Sequence, residues 1–256
     1  MKKNIPNIVE VKNLFKKYGD IYAVKGISFE VPEGEIFGML GPNGAGKTTT
    51  IEIIEGMRKA DSGTTFINGL NTVTNQKKIK KMIGVQLQQN AFFEYLNLFE
   101  IIDLYANLYA NKINPSDLLF KVELSEKEKS KFKELSGGQK QRLSIAIAMV
   151  NDPSVLFLDE PTTGLDPQAR RHVWNLIKNI KSEGRTIIMT THYMEEAEEL
   201  CDRVAIIDSG KIIALDSPSN LIDKLVKKGF KSKRSIKKAS LDDVFLDLTG
   251  QELRDT

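Results

Sequence analysis

Residues 35–57 read EIFGMLGPNGAGKTTTIEIIEGM. The apolar run at residues 35–40 predicts a buried strand, and residues 48–57 predict a helix. Between them, residues 41–48 fit the pattern G-x-x-x-x-G-K-[ST] without exception, in the strand-before, helix-after context that this pattern requires. The stretch therefore predicts a phosphate-binding loop within an α/β core.

The composition of this loop suits phosphate binding. Its glycines allow the backbone to approach a ligand closely, and its N–H groups can converge on phosphate oxygens at the positive end of the following helix. We expect Lys47 to bridge the β and γ phosphates and Thr48 to offer Mg²⁺ a hydroxyl oxygen. The predicted nucleotide contacts are Gly41, Pro42, Asn43, Gly44, Ala45, Gly46, Lys47, Thr48 and Thr49. A chance Lys-Thr after a glycine-rich turn is the alternative, and the flanking strand and helix disfavour it.

Length, charge and cysteine content limit the class of protein. A chain of 256 residues can bury one substantial core with a small satellite subdomain. Its net charge of +3 is too small to predict nucleic-acid binding, and its single cysteine, Cys201, excludes an internal disulfide and is expected to be structural. Residues 1–7 lack the features of a secretory signal, and no apolar run approaches the ~20 residues that span a bilayer. We therefore expect any transmembrane pore to be formed by another chain.

The other apolar patterns extend this α/β core. We expect strands at residues 8–11, 22–31, 64–68, 82–87, 155–158 and 186–190, turns at 18–20 and 61–63, a hairpin at 204–214, and helices at 170–181 and 194–200. The runs 155–158 and 186–190 are apolar throughout, which is typical of strands buried on both faces of a parallel sheet. Apolar residues at helical spacings between about residues 89 and 134 predict a helical insertion.

Two carboxylates follow the predicted strand at residues 155–158. Asp159 and Glu160 therefore lie at the carboxyl edge of the predicted sheet, where ligands of α/β proteins gather. A charged pair after a buried strand is also common as an ordinary solvent-facing strand end. Taken alone, the pair leaves both interpretations open.

Residues 135–142 read LSGGQKQR. They contain no obvious metal ligand or nucleophile, so their usefulness is geometric. Ser136 offers a hydroxyl group, and Gly137 and Gly138 offer backbone N–H groups at a predicted helix start. A serine-glycine helix cap without any ligand is the alternative for a bare Ser-Gly-Gly.

The phosphate loop, the LSGGQ octet and the acidic pair together resemble the ATPase subunit of an ABC transporter, and the resemblance spans nearly the whole chain. It implies ATP and Mg²⁺ as cofactors, with Asp159 holding Mg²⁺ directly or through water. It implies that Glu160 is the general base that polarises the water attacking the γ phosphate. It also implies that the second half of the site, which caps ATP held by the opposite subunit, includes Ser136, Gly137, Gly138 and Gln139.

The resemblance assigns roles to two further residues near the end of the core. Asp166, within Gly164-Leu165-Asp166-Pro167, resembles the D-loop aspartate at the dimer seam. His192, directly after the predicted strand 186–190 and Thr191, resembles the switch histidine that reaches the γ phosphate. The other histidine, His172, is expected on a solvated helix surface.

Two assignments from the resemblance concern the base and the metal. Tyr18 resembles the aromatic residue that stacks on adenine, with Val24 packing nearby, although a tyrosine in a hairpin is ordinary. We choose Gln88 as the Q-loop glutamine, which touches Mg²⁺ or water and relays to the membrane partner. Gln86 and Gln89 compete for that role, because the proline that often precedes the family's glutamine is absent.

The resemblance also predicts domain limits and an exporter class. We expect an ABC ATPase domain at residues 1–220 with its helical insertion at about 89–134, and a short basic linker with a C-terminal helix at 221–256. Residues 240–250, SLDDVFLDLTG, resemble the ending of ATPases that serve ABC-2-type exporters. In this family a groove beside the Q-loop receives a helix of the membrane subunit, and residues 91–105 lie where that groove is expected. We expect most of these residues to pack within the helical insertion and only a few to be exposed to a partner.

The sequence thus predicts an α/β fold: a P-loop NTPase core with a mainly parallel sheet, an N-terminal antiparallel β part and a helical subdomain insertion. The predicted partners are a second ATPase subunit, in a homodimer, and a separately encoded membrane permease, with no nucleic acid. The chain would act at the cytoplasmic face of the membrane. The alternatives are a soluble ABC ATPase, acting in cluster assembly or translation, and a regulatory subunit that binds ATP without turnover.

Overall fold

Two β-sheets and eight α-helices make up the described part of the computed structural model, which covers residues 5–87, 92–109 and 111–228 together with Phe230, Val244, Asp247 and Leu248. The strands are β1 (Asn7–Tyr18), β2 (Ile21–Pro32), β3 (Ile36–Leu40), β4 (Ser62–Ile67), β5 (Leu70–Asn71), β6 (Ile83–Gln86), β7 (Val155–Asp159), β8 (Thr186–Thr191), β9 (Arg203–Asp208) and β10 (Lys211–Asp216). The helices are α1 (Lys47–Ile54), α2 (Gln76–Met82), α3 (Leu98–Leu108), α4 (Pro115–Lys121), α5 (Gly137–Ala148), α6 (Pro167–Ser182), α7 (Met194–Leu200) and α8 (Pro218–Lys227).

The larger sheet brings the ends of three strands together. Its order is β10-β9-β3-β8-β7-β6, and only the β10–β9 pair is antiparallel. Leu40 of β3 lies beside Thr191 of β8, and Thr190 lies beside Asp159 of β7. Because parallel strands end at the same edge, the segments after β3, β7 and β8 meet there. The predicted, mainly parallel core is confirmed.

The smaller sheet is antiparallel, in the order β2-β1-β4-β5, and confirms the predicted N-terminal β part. The predicted end of the first strand at residue 11 is wrong, because β1 continues to Tyr18. Its register with β2 shifts between Val11 and Leu14, where Asn13 has a φ of 46°. Such a bulge interrupts the two-residue alternation by which a strand is recognised in a sequence.

Two more predicted boundaries change. Helix α1 ends at Ile54 rather than at residue 57, and Gly56 just beyond it has a φ of 76° that a right-handed helix does not contain. The predicted turn at 61–63 is partly strand, since Ser62 already pairs with Phe15 of β1. The start of β4 thus depends on its pairing with β1, which is distant in the sequence.

The larger sheet lies between two hydrophobic cores. Along β3, Ile36 and Leu40 face one core and Phe37 and Met39 face the other. The first core also contains side chains of α3, α6 and α7, and the second those of α1 and the smaller sheet, where Phe29 stacks on Phe37 with ring centroids 4.8 Å apart. Because both faces are buried in close-packed cores, the sheet is a rigid support for the segments at its carboxyl edge.

The helical insertion packs on the sheet through α5. Helix α3 begins at a reciprocal cap, in which Asn97 Oδ1 accepts from the Glu100 N–H and Glu100 Oε2 accepts from the Asn97 N–H, both at 2.9 Å. Helices α3 and α4 contact α5, and α5 contacts β6. A Cβ on Gly84 of β6 would lie only 1.9 Å from the carbonyl oxygen of Ala148, so glycine allows α5 to approach the strand.

Helix α8 replaces the first part of the predicted basic linker. Residues 221–227 belong to this helix, which Ser217 caps by accepting a hydrogen bond from Asn220 N–H at 3.2 Å. Leu221 and Leu225 are buried in the core. Lys224 and Lys227, two of the lysines that suggested a linker, therefore lie on a helix with one apolar face.

Beyond α8, the described residues Phe230, Val244 and Leu248 pack against the first core, and Lys228 Nζ lies 3.3 Å from Asp247 Oδ2. The other residues of the predicted linker and C-terminal helix lie outside the described residues. Within the described ranges, every helix is too short or too polar to cross a bilayer.

Candidate active site

The glycine loop passes so close to neighbouring strands that two of its positions have no room for a side chain. A Cβ on Gly41 would lie 2.1 Å from the carbonyl oxygen of Ile207, and one on Gly46 would lie 2.3 Å from that of Ala23. Gly46 has a φ of 103° and directly precedes α1. The loop is thus held against β2 and β9, and the N–H groups that begin α1 lie at the carboxyl edge of the sheet.

Lys47, the first residue of α1, is a buried cation inside this loop. Its Nζ donates to the carbonyl oxygens of Gly41 at 2.7 Å and Pro42 at 3.1 Å, and lies 3.8 Å from Glu160 Oε1. Burial lowers the pKa of Lys47, and the charges of Glu160 and Asp159 oppose that change. A bound phosphate would add negative charge beside an ammonium that burial disfavours, so the Lys47 side chain is suited to an anion.

Asp159 lies between two hydroxyl groups. Its Oδ2 is 3.2 Å from Thr48 Oγ1, and its Oδ1 accepts a hydrogen bond from Thr190 Oγ1. Burial raises the pKa of Asp159, and the hydrogen bonds from Thr190 and Thr48 oppose that rise. The described residues contain no cluster of three or more His, Cys, Asp or Glu side chains that could hold a metal. The Thr48–Asp159 pair nevertheless fits Mg²⁺, which takes few protein ligands and fills its octahedron with water and phosphate oxygens.

Glu160 has a backbone conformation that few side chains adopt. Its φ is 48°, and its N–H donates to Thr190 Oγ1 at 3.0 Å. Its Oε2 accepts from Thr163 Oγ1 at 3.1 Å, and its Oε1 lies 3.3 Å from His192 Nδ1. The nearby His192 lowers the pKa of Glu160, against the opposing effect of burial. The carboxylate is therefore held in place and ionised, which is the state that can accept a proton.

The carboxyl-edge cluster consists of Lys47, Thr48, Asp159, Glu160 and His192. The structure brings these predicted residues together from three strand ends. Sequence reasoning missed one residue that holds the cluster together, namely Thr190, whose hydroxyl contacts both Asp159 and the backbone of Glu160. A threonine inside an apolar strand gave no signal, because threonine is common in strands.

Sequence reasoning also missed Glu55, which follows α1 and is 4% exposed. Its pKa is raised to about 8, chiefly by burial and then by the charges of Asp159 and Glu52. The available signal was an acidic residue directly after the apolar pair Ile53 and Ile54, at the buried end of a helix. A carboxyl group that is neutral in the folded protein thus lies within the electrostatic reach of Asp159.

We expect Glu55→Gln to flatten the pH dependence of stability. Between the ordinary pKa of 4.5 and the folded value of about 8, the folded protein binds a proton that the unfolded chain has lost, so stability falls as pH rises through this window. Above the folded value no further loss occurs. The neutral amide avoids this loss, and the free energy of unfolding at pH 8 should rise by roughly 1–4 kcal/mol. Urea unfolding without nucleotide, repeated at pH 5, 6, 7 and 8, measures the change.

The matched control is Glu126→Gln. It removes an exposed carboxylate of the helical insertion, whose charge is not among those that raise the pKa of Glu55. This variant should keep the pH dependence of the wild type. Equal slopes for Glu55→Gln and the wild type would contradict a neutral, buried Glu55.

The LSGGQ octet begins α5 with a reciprocal cap. Ser136 Oγ accepts from the Gln139 N–H at 3.3 Å, and Gln139 Oε1 accepts from the Ser136 N–H at 2.9 Å. A Cβ on Gly138 would lie 2.8 Å from the Cβ of Ala169, so glycine lets α5 approach α6. The N–H groups of Gly137 and Gly138 lie in the first turn, where a helix has no internal acceptors for them.

Asp166 lies beside this helix start and caps α6. Its Oδ1 accepts from the N–H groups of Gln168 at 3.0 Å and Ala169 at 2.9 Å. A pocket of about 180 Å³ is lined by Ser136, Gly138, Gln139, Arg142, Asp166, Gln168, Ala169 and His172. Its lining, taken over the described residues, includes no member of the carboxyl-edge cluster. The predicted site residues thus lie in two separate groups, here called the first half-site (the carboxyl-edge cluster) and the second half-site (this pocket). His172 is half-exposed and lines the second.

Three other predicted nucleotide-site residues, Tyr18, Val24 and Gln88, differ in exposure or in whether the structure describes them. Tyr18 is partly exposed, with its ring centroid 5.4 Å from both Lys16 Nζ and Arg58 Cζ, while Val24 is fully buried. Gln88 lies outside the described residues. Of the two described residues, Tyr18 therefore has an exposed ring and Val24 does not reach the surface.

Comparisons with known proteins agree with this geometry. The family model described as ABC transporter matches residues 24–163. The linearmycin resistance ATP-binding protein of Bacillus subtilis (strain 168) is 40% identical over 223 residues, which cover 85% of this chain and 72% of that protein. The Nod factor export ATP-binding protein I of Burkholderia orbicola (strain AU 1054) is 41% identical over 220 residues, covering 84% of this chain and 72% of that protein.

Solved structures show the same fold. An ATP-binding subunit of an ABC transporter is 28% identical and covers 94% of this chain and 99% of its own, with a TM-score of 0.80. A dimeric ATP-binding cassette in a post-hydrolysis state, bound to ADP and Pi, is 28% identical and covers 82% and 98%, with a TM-score of 0.73. The glycine loop, the acidic strand end and the octet thus occur in a chain that belongs to the ATP-binding domains of the ABC transporter family.

Proposed function

We propose that the chain hydrolyses MgATP as one of two identical subunits. The observation that carries the proposal is the position of Glu160, whose Oε1 lies 3.8 Å from Lys47 Nζ and 3.3 Å from His192 Nδ1. A phosphate bound by the lysine is then next to an ionised carboxylate. Anion binding and a general base therefore occur in the same cluster.

ATP binding uses the glycine loop and the first turn of α1. The N–H groups of this segment and the ammonium of Lys47 contact the β and γ phosphates, and Tyr18 stacks on adenine. Thr48, Asp159 and Gln88 would hold Mg²⁺, and the bound ion would supply positive charge to the phosphate oxygens. Lys47 exchanges its contacts with the loop carbonyls for phosphate contacts.

Hydrolysis uses Glu160 as the base. The oxygen of a water molecule forms a bond to the γ phosphorus while the bond from that phosphorus to ADP breaks, and the water's proton passes to Glu160. His192 and Thr163 orient the carboxylate through the contacts described above. Thr190 holds the backbone of Glu160 in its left-handed conformation.

A second subunit completes each site. The separate pocket beside Ser136 and Asp166 supports this step, because it offers a hydroxyl and a helix start but no phosphate loop of its own. A solved relative that is dimeric and bound to ADP and Pi also supports this step. In the proposed homodimer, ATP on one phosphate loop contacts Ser136 of the partner, and loss of the γ phosphate releases the pair.

ATP-dependent dimer formation tests the proposal. With MgATP, Glu160→Gln should convert from 28.8 kDa to about twice that mass in light scattering, because trapped ATP holds two subunits together. Adding Ser136→Arg should keep it monomeric by filling the pocket at the seam. The control addition is Ser182→Arg, at the exposed end of α6, which should still dimerise. A dimer that tolerates Ser136→Arg, or no dimer at all, contradicts the proposal.

The dimer would drive export through a separately encoded permease at the cytoplasmic face of the membrane. The names of two relatives, an export and a resistance ATP-binding protein, support this class. Phe93 and Tyr95, which precede α3, are 61% and 72% exposed and could meet a partner helix, whereas Leu98 and Ile101 are buried as expected for packing within the insertion. The alternative is a soluble ABC ATPase in cluster assembly or translation.

Co-purification separates these possibilities. Tagged Glu160→Gln, expressed in its native cells and extracted with MgATP, should bring down a stoichiometric integral membrane protein identified by mass spectrometry. Phe93→Glu with Tyr95→Glu should weaken that association while leaving ATP-dependent dimerisation unchanged. A pool bound only to ribosomes or assembly proteins would favour the alternative.

A further inference from the structure

A buried carboxylate outside the carboxyl-edge cluster joins three segments that carry site residues. Glu196 is 1% exposed, and its Oε1 accepts hydrogen bonds from Thr162 Oγ1 at 2.6 Å and from Trp174 Nε1 at 2.9 Å. Thr162 is also fully buried. Two donors on one buried oxygen form a small polar network inside an apolar core, where each contact is costly to lose.

Each member of this network belongs to a different functional segment. Thr162 lies in the loop 160–166 between the proposed base and the Asp166 cap. Trp174 is on α6, which begins at that cap, and Glu196 is on α7, which begins two residues after His192. The network therefore spans both half-sites.

Local hydrogen bonds hold the turns that lie between the network and the reacting groups. In the loop, the Thr163 N–H donates to the Glu160 carbonyl at 3.2 Å, and the Leu165 N–H donates to the Thr162 carbonyl at 3.2 Å. On the other side, the Tyr193 N–H donates to Thr191 Oγ1 at 2.9 Å. Thr162 lies two residues after Glu160, inside the turn that the Thr163 N–H closes on the Glu160 carbonyl. We therefore expect a shift of Thr162 to move the backbone of Glu160.

Resting on the function proposed above, we propose that Glu196 is a positioning residue that fixes Glu160 relative to His192 and to the partner-facing Asp166 by holding Thr162 and Trp174. The network sets the rate of the chemical step and not the affinity for ATP, because none of its three side chains belongs to the phosphate loop. A small displacement of a base from its productive position can cost ~10²-fold in rate.

The chemistry of Glu196 suits a fixed acceptor. Burial raises its pKa, while the hydrogen bonds from Thr162 and Trp174 and the charge of Arg170 oppose the rise. Arg170 itself lies over the ring of Tyr193, with Cζ 4.4 Å from the centroid. A glutamine keeps one carbonyl oxygen for both donors, so Glu196→Gln should preserve positioning while an apolar residue would not.

The decisive variant is Thr162→Val, which removes one hydroxyl at nearly constant shape. We expect kcat for ATP hydrolysis to fall about 10-fold or more while KM changes less than about twofold, and Glu196→Gln to stay within about threefold of the wild-type kcat. The control is Thr65→Val, which removes a buried hydroxyl that pairs with Thr72 in the smaller sheet. Both valine variants should lose stability in urea, but only Thr162→Val should lose rate.

Trp174 supplies a second readout because it is the only tryptophan in the chain. Binding of MgATP should change its emission in the wild type and in Thr65→Val, and Thr162→Val should reduce that change by at least half. Three results for Thr162→Val would each overturn the positioning role. They are a wild-type kcat, a rise in KM as large as the fall in kcat, and an emission response equal to that of the wild type. A wild-type protein that does not hydrolyse ATP would instead overturn the proposed function, and this inference with it.

Discussion

Glu160→Gln is expected to lower kcat for ATP hydrolysis by about 100-fold or more while ATP affinity changes less than about threefold. The amide has nearly the size of the carboxylate and can keep the contacts to Thr163 and His192. It cannot accept the water's proton at neutral pH. Because the γ phosphate is held by other groups, the loss falls on the chemical step and leaves binding in place.

Steady-state phosphate release at saturating ATP measures the rate, and equilibrium titration with a fluorescent ATP analogue measures affinity. The matched control is Glu195→Gln, an exposed carboxylate on α7 three residues after His192, which should hydrolyse ATP at the wild-type rate. Turnover by Glu160→Gln within about threefold of the wild type would show that another group is the base.

Lys47→Met is expected to weaken ATP binding by about 100-fold, which corresponds to about 2.8 kcal/mol. The ammonium is the cation inside the loop, and its Nζ already holds the carbonyls of Gly41 and Pro42 at 2.7 and 3.1 Å. Methionine keeps the length and apolar character of the buried stem but donates no hydrogen bond. The phosphates therefore lose a charge-assisted hydrogen bond, and the loop loses the hydrogen bonds from Nζ to two of its own carbonyl oxygens.

Calorimetric titration with ATP in the absence of turnover measures this loss, with Lys59→Met as the control at an exposed lysine just beyond α1. The control should bind as the wild type does. Urea unfolding should show that Lys47→Met remains folded, since burial already disfavours the ammonium. Unchanged affinity in a folded Lys47→Met variant would place the phosphates elsewhere.

The phosphate loop was predictable because all of its determinants are contiguous. Strand, glycine turn and helix follow one another within residues 35–57, and the structure has them in that order as β3, loop and α1. The first strand shows the opposite case. The bulge at Asn13 broke the alternation, and only pairing with β2 shows that β1 continues to Tyr18.

The roles of the acidic pair and the octet were open from the residues alone. Asp159 and Glu160 could have been an ordinary strand end, and Ser136 could have been a cap without a ligand. The structure shows that Ser136 is indeed a cap, and also that it lines a pocket with Asp166. A cap of this kind is compatible with the proposed ligand site, because it leaves the N–H groups of the first turn available.

By itself, the sequence determined the phosphate loop, the acidic strand end and the family, because each depends on neighbouring residues and fixed spacing. It did not predict β5 or α2. The tertiary structure decided which distant residues meet. Thr190 reaches Asp159 through the pairing of β7 with β8, and Glu196 reaches Thr162 and Trp174 through the packing of α7 and α6. Strand order and helix packing create such contacts, and no local pattern of the chain encodes them.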